Sequence, residues 1–145
     1  MARVKFFQCQ QGGHKDLRRE ITDIDAPRLW FGFSRLRQMK IIKMLNVGLI
    51  VGEHYHPKHG KKSRTEVFIA IDGEGAISAH PVLFILRYKY PGTDKIIEKE
   101  LRAGYGCRIP PGVTHSFYSA KENAMLWGLS NKPFMIEDAI PDKLF

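Results

Sequence analysis

The chain has 145 residues, 43% of them hydrophobic and 26% charged, which suits one globular domain and is short for two independent cores. Lys plus Arg exceed Asp plus Glu by 23 to 15, a formal charge of +8, so anionic partners such as sugar phosphates, nucleotides or nucleic acid come into consideration. No run approaches the roughly 18–20 continuous apolar residues of a membrane helix, and the basic start Met1-Ala2-Arg3-Val4-Lys5 lacks the apolar centre of a signal peptide. Two cysteines, Cys9 and Cys107, make no disulfide framework, so a cytoplasmic protein with free thiols is expected.

In chain order the segments read as strands, cut by 13 Gly and 8 Pro and rich in β-branched and aromatic residues. They are predicted at 3–8, 28–37, 39–45, 47–56, 65–71, 74–80, 82–90, 95–101, 106–110, 115–120 and 124–130. A turn or two of helix is expected at 15–24 (KDLRREITDI) and another at 137–144, interrupted by Pro141. Pro91-Gly92-Thr93-Asp94 is a turn signal that makes 82–101 a hairpin. Many short strands with almost no helix indicate an all-β fold, a sandwich or barrel.

Side chains alternate faces along a strand, so Asn46, Gly48, Ile50, Gly52, His54 and His56 are predicted to share one face, with Val47, Leu49 and Val51 on the other. His54 and His56 then stand roughly 6–7 Å apart at Cα, close enough for both rings to converge on one ion. Glu66 opens the next strand, with Phe68 and Ala70 on its face. Pro110-Pro111-Gly112-Val113-Thr114-His115 is a tight turn delivering a third histidine into a new strand. Three imidazoles and a carboxylate suit a divalent first-row metal: Fe, Mn, Zn, Ni or Cu.

Taken together, these spacings resemble the cupins. The first cupin motif, G-x5-H-x-H-x3,4-E-x6-G, matches Gly48, His54, His56, Glu66 and Gly73. The second, G-x5-P-x-G-x2-H-x3-N, matches Gly104, Pro110, Gly112 and His115, with Ser119 in place of Asn. Nine residues separate His56 from Glu66, which lengthens a hairpin without moving the ligands. The resemblance implies a small antiparallel β-barrel of jelly-roll type: one cupin domain over 1–145, with a motif core at 48–119, N-terminal strands in 1–45 and a C-terminal tail at 131–145. It also implies His54, His56, Glu66 and His115 as ligands of a divalent transition metal (Fe, Mn, Zn or Ni).

The stretch around these residues is most similar to cupins that handle sugars, the metal-dependent sugar-phosphate isomerases and the nucleotide-sugar epimerases and ketoisomerases. An isomerase or epimerase of a phosphorylated or nucleotide-linked sugar is therefore expected, with an iron-dependent dioxygenase or a non-catalytic sugar or metabolite binder as alternatives. Lys61, Lys62, Arg64 and Arg87 are candidate phosphate contacts, Arg as a fork and Lys as a point charge. Tyr88, Tyr90 and Glu66 are candidate proton-transfer groups. His14, His59 and His80 read as surface histidines, and Trp30, Phe31 and Phe33 as packing residues. The basic residues are scattered rather than interleaved with aromatics along one surface, so nucleic acid is not expected as a partner, nor is a membrane. The apolar outward face Val67, Ile69 and Ile71 is more than one small barrel is expected to bury, which predicts a homodimer.

Overall fold

The computed structural model describes residues 2–15, 20–25, 36–58, 63–74, 80–132 and 139–145. Among them every regular element is a strand: β1 (Lys5–Gln8), β2 (Gln10–Lys15), β3 (Glu20–Asp25), β4 (Gln38–Met44), β5 (Ile50–Tyr55), β6 (Glu66–Asp72), β7 (Val82–Lys89), β8 (Ile97–Arg102), β9 (Tyr105–Ile109), β10 (Thr114–Ser119), β11 (Ala124–Ser130) and β12 (Ile140–Pro141). No helix among the described residues is long and apolar enough to cross a membrane.

Two five-stranded sheets, ordered β1-β9-β6-β11-β4 and β12-β5-β10-β7-β8, face one another, and β2 and β3 form a separate hairpin. All pairings are antiparallel. This is the jelly-roll barrel that the cupin resemblance implies, within the sandwich or barrel indicated by the strand pattern. Between the sheets, Phe68, Ala70, Cys107 and Leu126 from one meet Phe84, Leu86, Tyr88 and Phe117 from the other in a single buried cluster. Burying a side chain of Phe or Leu size stabilises by about 1.5–3 kcal/mol, so this layer fixes the barrel.

Strand β6 is buried on both faces. Phe68 and Ala70 point inward with Glu66, while Ile69 and Ile71 pack outward against Cys9, Phe7, Met125 and Trp127. The outer face that predicted a homodimer is thus covered within the single chain, with Val67 and Ile71 fully buried. A second copy is not needed to remove it from water.

Several expectations are corrected. Of the helical turn expected at 15–24, the described residues lie in strands: β2 ends at Lys15, and Glu20–Asp25 pairs back on it, with His14 opposite Ile21. The β-branched run Ile21-Thr22-Asp23-Ile24 gains more from a ladder than from an isolated helical turn. At 137–144, the described part carries a strand instead of a helix: Ile140 and Pro141 pair with Tyr55 and His54. Most of the strand predicted at 28–37, and most of 74–80, lie outside the described residues, as do Trp30, Phe31 and Phe33.

The strand predicted at 47–56 starts three residues later, because Gly48 at φ +87° turns the chain before it. Within β5 the alternation breaks. His115 faces His54 but Ser116 faces Gly52, so Glu53, at φ +62°, is the extra residue of a β-bulge. Val51 therefore packs toward the core with the histidines, while Ile50 turns out to solvent.

Candidate metal centre

The bulge sets the site. It brings His54 inward at the end of β5, and His56 follows two residues later. His115 is the second residue of β10, paired with His54, and Glu66 opens β6 in the opposite sheet. The four groups therefore converge from both walls at one end of the barrel. Ring centroids of His54 lie 4.8 Å from His56 and 4.9 Å from His115. One oxygen of Glu66, Oε2, is 3.2 Å from His56 Nε2 and 3.1 Å from His115 Nε2. Phe68 and Phe117 pack around His115 with ring centroids 5.7 and 6.2 Å from its own, keeping water from that side.

The protons can be placed by chemistry. His115 Nδ1 lies 3.1 Å from the Val113 carbonyl oxygen, which only accepts, so this nitrogen is the donor. In the neutral ring Nε2 then carries a lone pair aimed at a carboxylate oxygen. Two acceptors at that separation need a cation between them, a ring proton or a metal ion. Burial opposes charge on Glu66, but hydrogen bonds from His115 and His56, with the charges of His115 and Lys40, hold its carboxyl well below the usual range. Burial pushes the His54 imidazole down to about 4, with the His115 charge adding to the effect, Glu66 opposing it, His56 adding and the Gly52 backbone opposing. His54 is neutral at neutral pH, the form in which an imidazole binds metal.

The donor set fits a divalent ion. Ligand atoms of His54, His56 and Glu66 lie within 4.8 Å of one another, against about 3–4 Å between neighbouring ligands on a zinc-sized ion. His54 Nε2 is buried with no hydrogen-bond partner, a costly arrangement that an ion would relieve. Beside His54 and His115 lies a cavity of about 20 Å³, lined also by Lys40, Val51, Gly52 and Phe68. That is room for roughly one water or ion, not for a sugar.

The other predicted residues are distributed as follows. Tyr88 points inward, opposite His115 in the register, and Tyr90 stacks edge-on against it at 5.7 Å. Burial raises the Tyr88 phenol, helped by Tyr90 and Cys107. The Tyr90 hydroxyl accepts from the Val4 amide at 3.1 Å, and neither tyrosine lines the small cavity. Arg64 is buried, donating to Gln38 Oε1 and Ser130 Oγ at 3.1 Å each and to the Lys132 carbonyl, so it fastens the segment before Glu66 to β4 and β11. Arg87 is on the outer face of its strand, where it pairs with Glu98 at 2.9 Å, donates to the Leu144 carbonyl and lies 4.2 Å over the Phe145 ring. Alternation along β7 separates it from the histidines. Lys61, Lys62 and His59 lie outside the described residues. On that outer face a cleft of about 340 Å³ is lined by Tyr55, Lys89, Thr114 and Asp142 among others, with the Lys89–Asp142 ion pair closed at 2.9 Å.

Sequence reasoning missed Lys40. Its Nζ is 3.6 Å from Glu66 Oε1 and 5.5 Å from the Phe68 ring centroid. The signal was present: in the alternating run Gln38–Met44 it shares the buried face with Ile42 and Met44, where a cation is out of place.

No protein-family model matches the chain, and no curated protein does. Solved structures do. A variant of the 3,4-ketoisomerase QdtA from Thermoanaerobacterium thermosaccharolyticum, in complex with TDP-4-keto-6-deoxyglucose, superposes with a TM-score of 0.62 at 19% identity, covering 96% of this chain and 87% of that one. The TDP-fucose-3,4-ketoisomerase WlaRA from Campylobacter jejuni gives 0.65 at 14%, covering 97% and 90%. The dTDP-4-dehydrorhamnose 3,5-epimerase of Bacillus anthracis gives 0.61 at 13%, covering 94% and 76%. The fold is that of a cupin. At these identities the likeness concerns the cupin barrel, and function has to be argued from the site.

Proposed function

We propose that this cupin is an isomerase or epimerase of a nucleotide-linked or phosphorylated sugar, with a divalent transition metal held by His54, His56, Glu66 and His115. The observation that carries the metal is the meeting of the His56 and His115 Nε2 atoms at Glu66 Oε2, at 3.2 and 3.1 Å, beside the buried Nε2 of His54. The substrate class is supported by the nucleotide-sugar ketoisomerases and epimerase whose barrels superpose on this one.

When bound, such an ion supplies Lewis acidity toward a carbonyl and its neighbouring hydroxyl. The chain supplies the rest. Val113 fixes the His115 tautomer, and Phe68 and Phe117 keep water off its ring. The cavity of about 20 Å³ admits only the reacting atoms, so the bulk of a sugar lies outside it. Lys40, Ile42, Gly52 and His54 line that cavity from β4 and β5, an edge strand of one sheet and a neighbour of the short edge strand β12 in the other. The substrate approaches between them.

One observation favours a second reading on the same residues. His54 is neutral, its buried Nε2 has no hydrogen-bond partner, and it stands next to a buried carboxylate, so without metal it offers a base for a proton next to a ketone. The two readings separate in one assay. The purified protein, metal-stripped and metal-loaded, is incubated with TDP-4-keto-6-deoxyglucose, and the sugar is followed by proton NMR. Turnover by the loaded form alone supports the metal reading, and equal turnover by both forms supports the acid–base reading. No turnover by either counts against both for this sugar, and binding without change then points to a non-catalytic binder.

A further inference from the structure

Lys40 has a peculiar path. It sits on the edge strand β4, while its partner Glu66 sits on β6, with β11 between them. To reach Glu66 its stem must lie across β11, and the residue it crosses is Gly128, which pairs with Lys40 on one side and Phe68 on the other. A Cβ built on Gly128 would stand 2.8 Å from Lys40 Cε, 3.0 Å from its Cγ and 3.1 Å from Phe68 Cε1. A side chain at 128 would crowd the lysine stem at Cε and Cγ and press on the Phe68 ring. The bare backbone here leaves the lysine stem room to lie along its present path into the site.

Having arrived, that cation is only loosely engaged. Its 3.6 Å separation from Glu66 Oε1 exceeds hydrogen-bond distance, and its other neighbour is the face of Phe68. Glu66 is 3% exposed, yet the Lys40 side chain is 32% exposed, so the ammonium connects the buried cluster to solvent. Among the described residues, Lys40 is also the one lysine or arginine that lines the small cavity, together with His54 and Gly52. An ammonium has three donors on a compact point charge, so it takes a closer anionic oxygen while still facing Glu66 Oε1.

We propose that Lys40, laid across Gly128, is an anion-binding subsite at the open side of the cavity: it takes one negatively charged oxygen of the substrate, a carboxylate, enolate or phosphate oxygen, beside His54. This deepens the reading of the site given above and rests on it for the identity of the substrate. The subsite itself does not require the metal. Gly128 is the positioning residue, and Lys40 is the residue that touches the ligand.

The test uses the purified, metal-stripped full chain with formate as the probe, following the histidine ring resonances in 1H–15N spectra. Saturable shifts of the His54 and His115 rings are expected in the wild type. Lys40→Met weakens formate binding by at least ~10-fold, and Lys40→Arg keeps it within ~3-fold. Gly128→Ala, which keeps the lysine but crowds its stem, weakens binding as Lys40→Met does. Thermal melts confirm that each variant folds. Formate affinity unchanged in Lys40→Met, unchanged in Gly128→Ala, or absent in the wild type would overturn the proposal. Metal uptake is measured separately by equilibrium dialysis. A chain that refuses metal but binds formate through Lys40 refutes the metal and keeps the subsite, and the reverse result refutes the subsite alone.

Discussion

The Glu66 carboxylate lies 3.1 Å from His115 Nε2, with the two side chains 3% and 1% exposed. A charge so buried is tolerated only when opposite charge or hydrogen bonds answer it, and breaking one partner of such a contact leaves the other stranded. Everything around the pair serves that requirement. Val113 holds the far side of the imidazole, Lys40 faces the second carboxylate oxygen, and His54 and His56 complete a shell of nitrogen about the first.

The metal-free protein should lose stability in acid, in two stages. The folded His54 takes a proton only at about pH 4, whereas the unfolded chain takes it near 6.5, so stability falls as pH drops through that window. Allowing for the part of the ring that water screens, the loss is about 1–2 kcal/mol. Glu66 is depressed below its ordinary value, so its contribution is complete above about pH 4.3 and is lost as pH falls toward the folded value. Thermal melts between these pH values read the slope directly. His54→Asn, which cannot titrate, should flatten the upper stage, and an unchanged slope in that variant would place the titration elsewhere.

Gly52 has a φ of +100°, and a Cβ there would stand 2.9 Å from the His115 carbonyl oxygen and 3.2 Å from Ser116 Cα, both backbone. Gly52→Ala should therefore cost about 2–3 kcal/mol and shift His54 against His115. Gly92 is the control. Its φ is +75° but a Cβ would meet nothing within 4 Å, so Gly92→Ala should cost only about 1 kcal/mol. Equal melting shifts for the two variants would mean that the bulge is not held by this close approach.

How far the sequence could be read follows from these same residues. Period-two patterns and turn residues were enough for most strands, and the histidine and glutamate spacings were enough to assemble His54, His56, Glu66 and His115. Strict alternation could not reveal the bulge, because an extra residue at Glu53 leaves no mark in composition, and so Val51 was assigned to the wrong face. The stretch 15–24 reads as a turn or two of helix, and for residues 20–24 only the pairing with β2 decides for a strand. Arg64 reads as a hairpin cation until the hydrogen bonds to Gln38 and Ser130 draw it into the wall. Lys40 lay outside any motif, and its reach depends on Gly128, a relationship between strands that sequence spacing does not encode.

The two arginines should separate cleanly. Arg64→Met strips donors from Gln38, Ser130 and the Lys132 carbonyl in a buried setting, which should cost about 2–4 kcal/mol. Arg87→Ala removes a half-exposed ion pair and a stacking contact with Phe145, for about 1 kcal/mol. Denaturant midpoints measure both. A larger loss from Arg87 would mean that the contacts on the outer face of β7 anchor the barrel more than the Arg64 network does.

Metal content tests the central claim most directly. Elemental analysis of the purified protein, run beside His54→Ala and His115→Ala, should find about one equivalent of a transition metal per chain in the wild type and little in either variant. A wild-type protein that arrives without metal and takes up none of Fe, Mn, Ni or Zn would contradict the account, leaving the histidines and Glu66 as acid–base and binding groups.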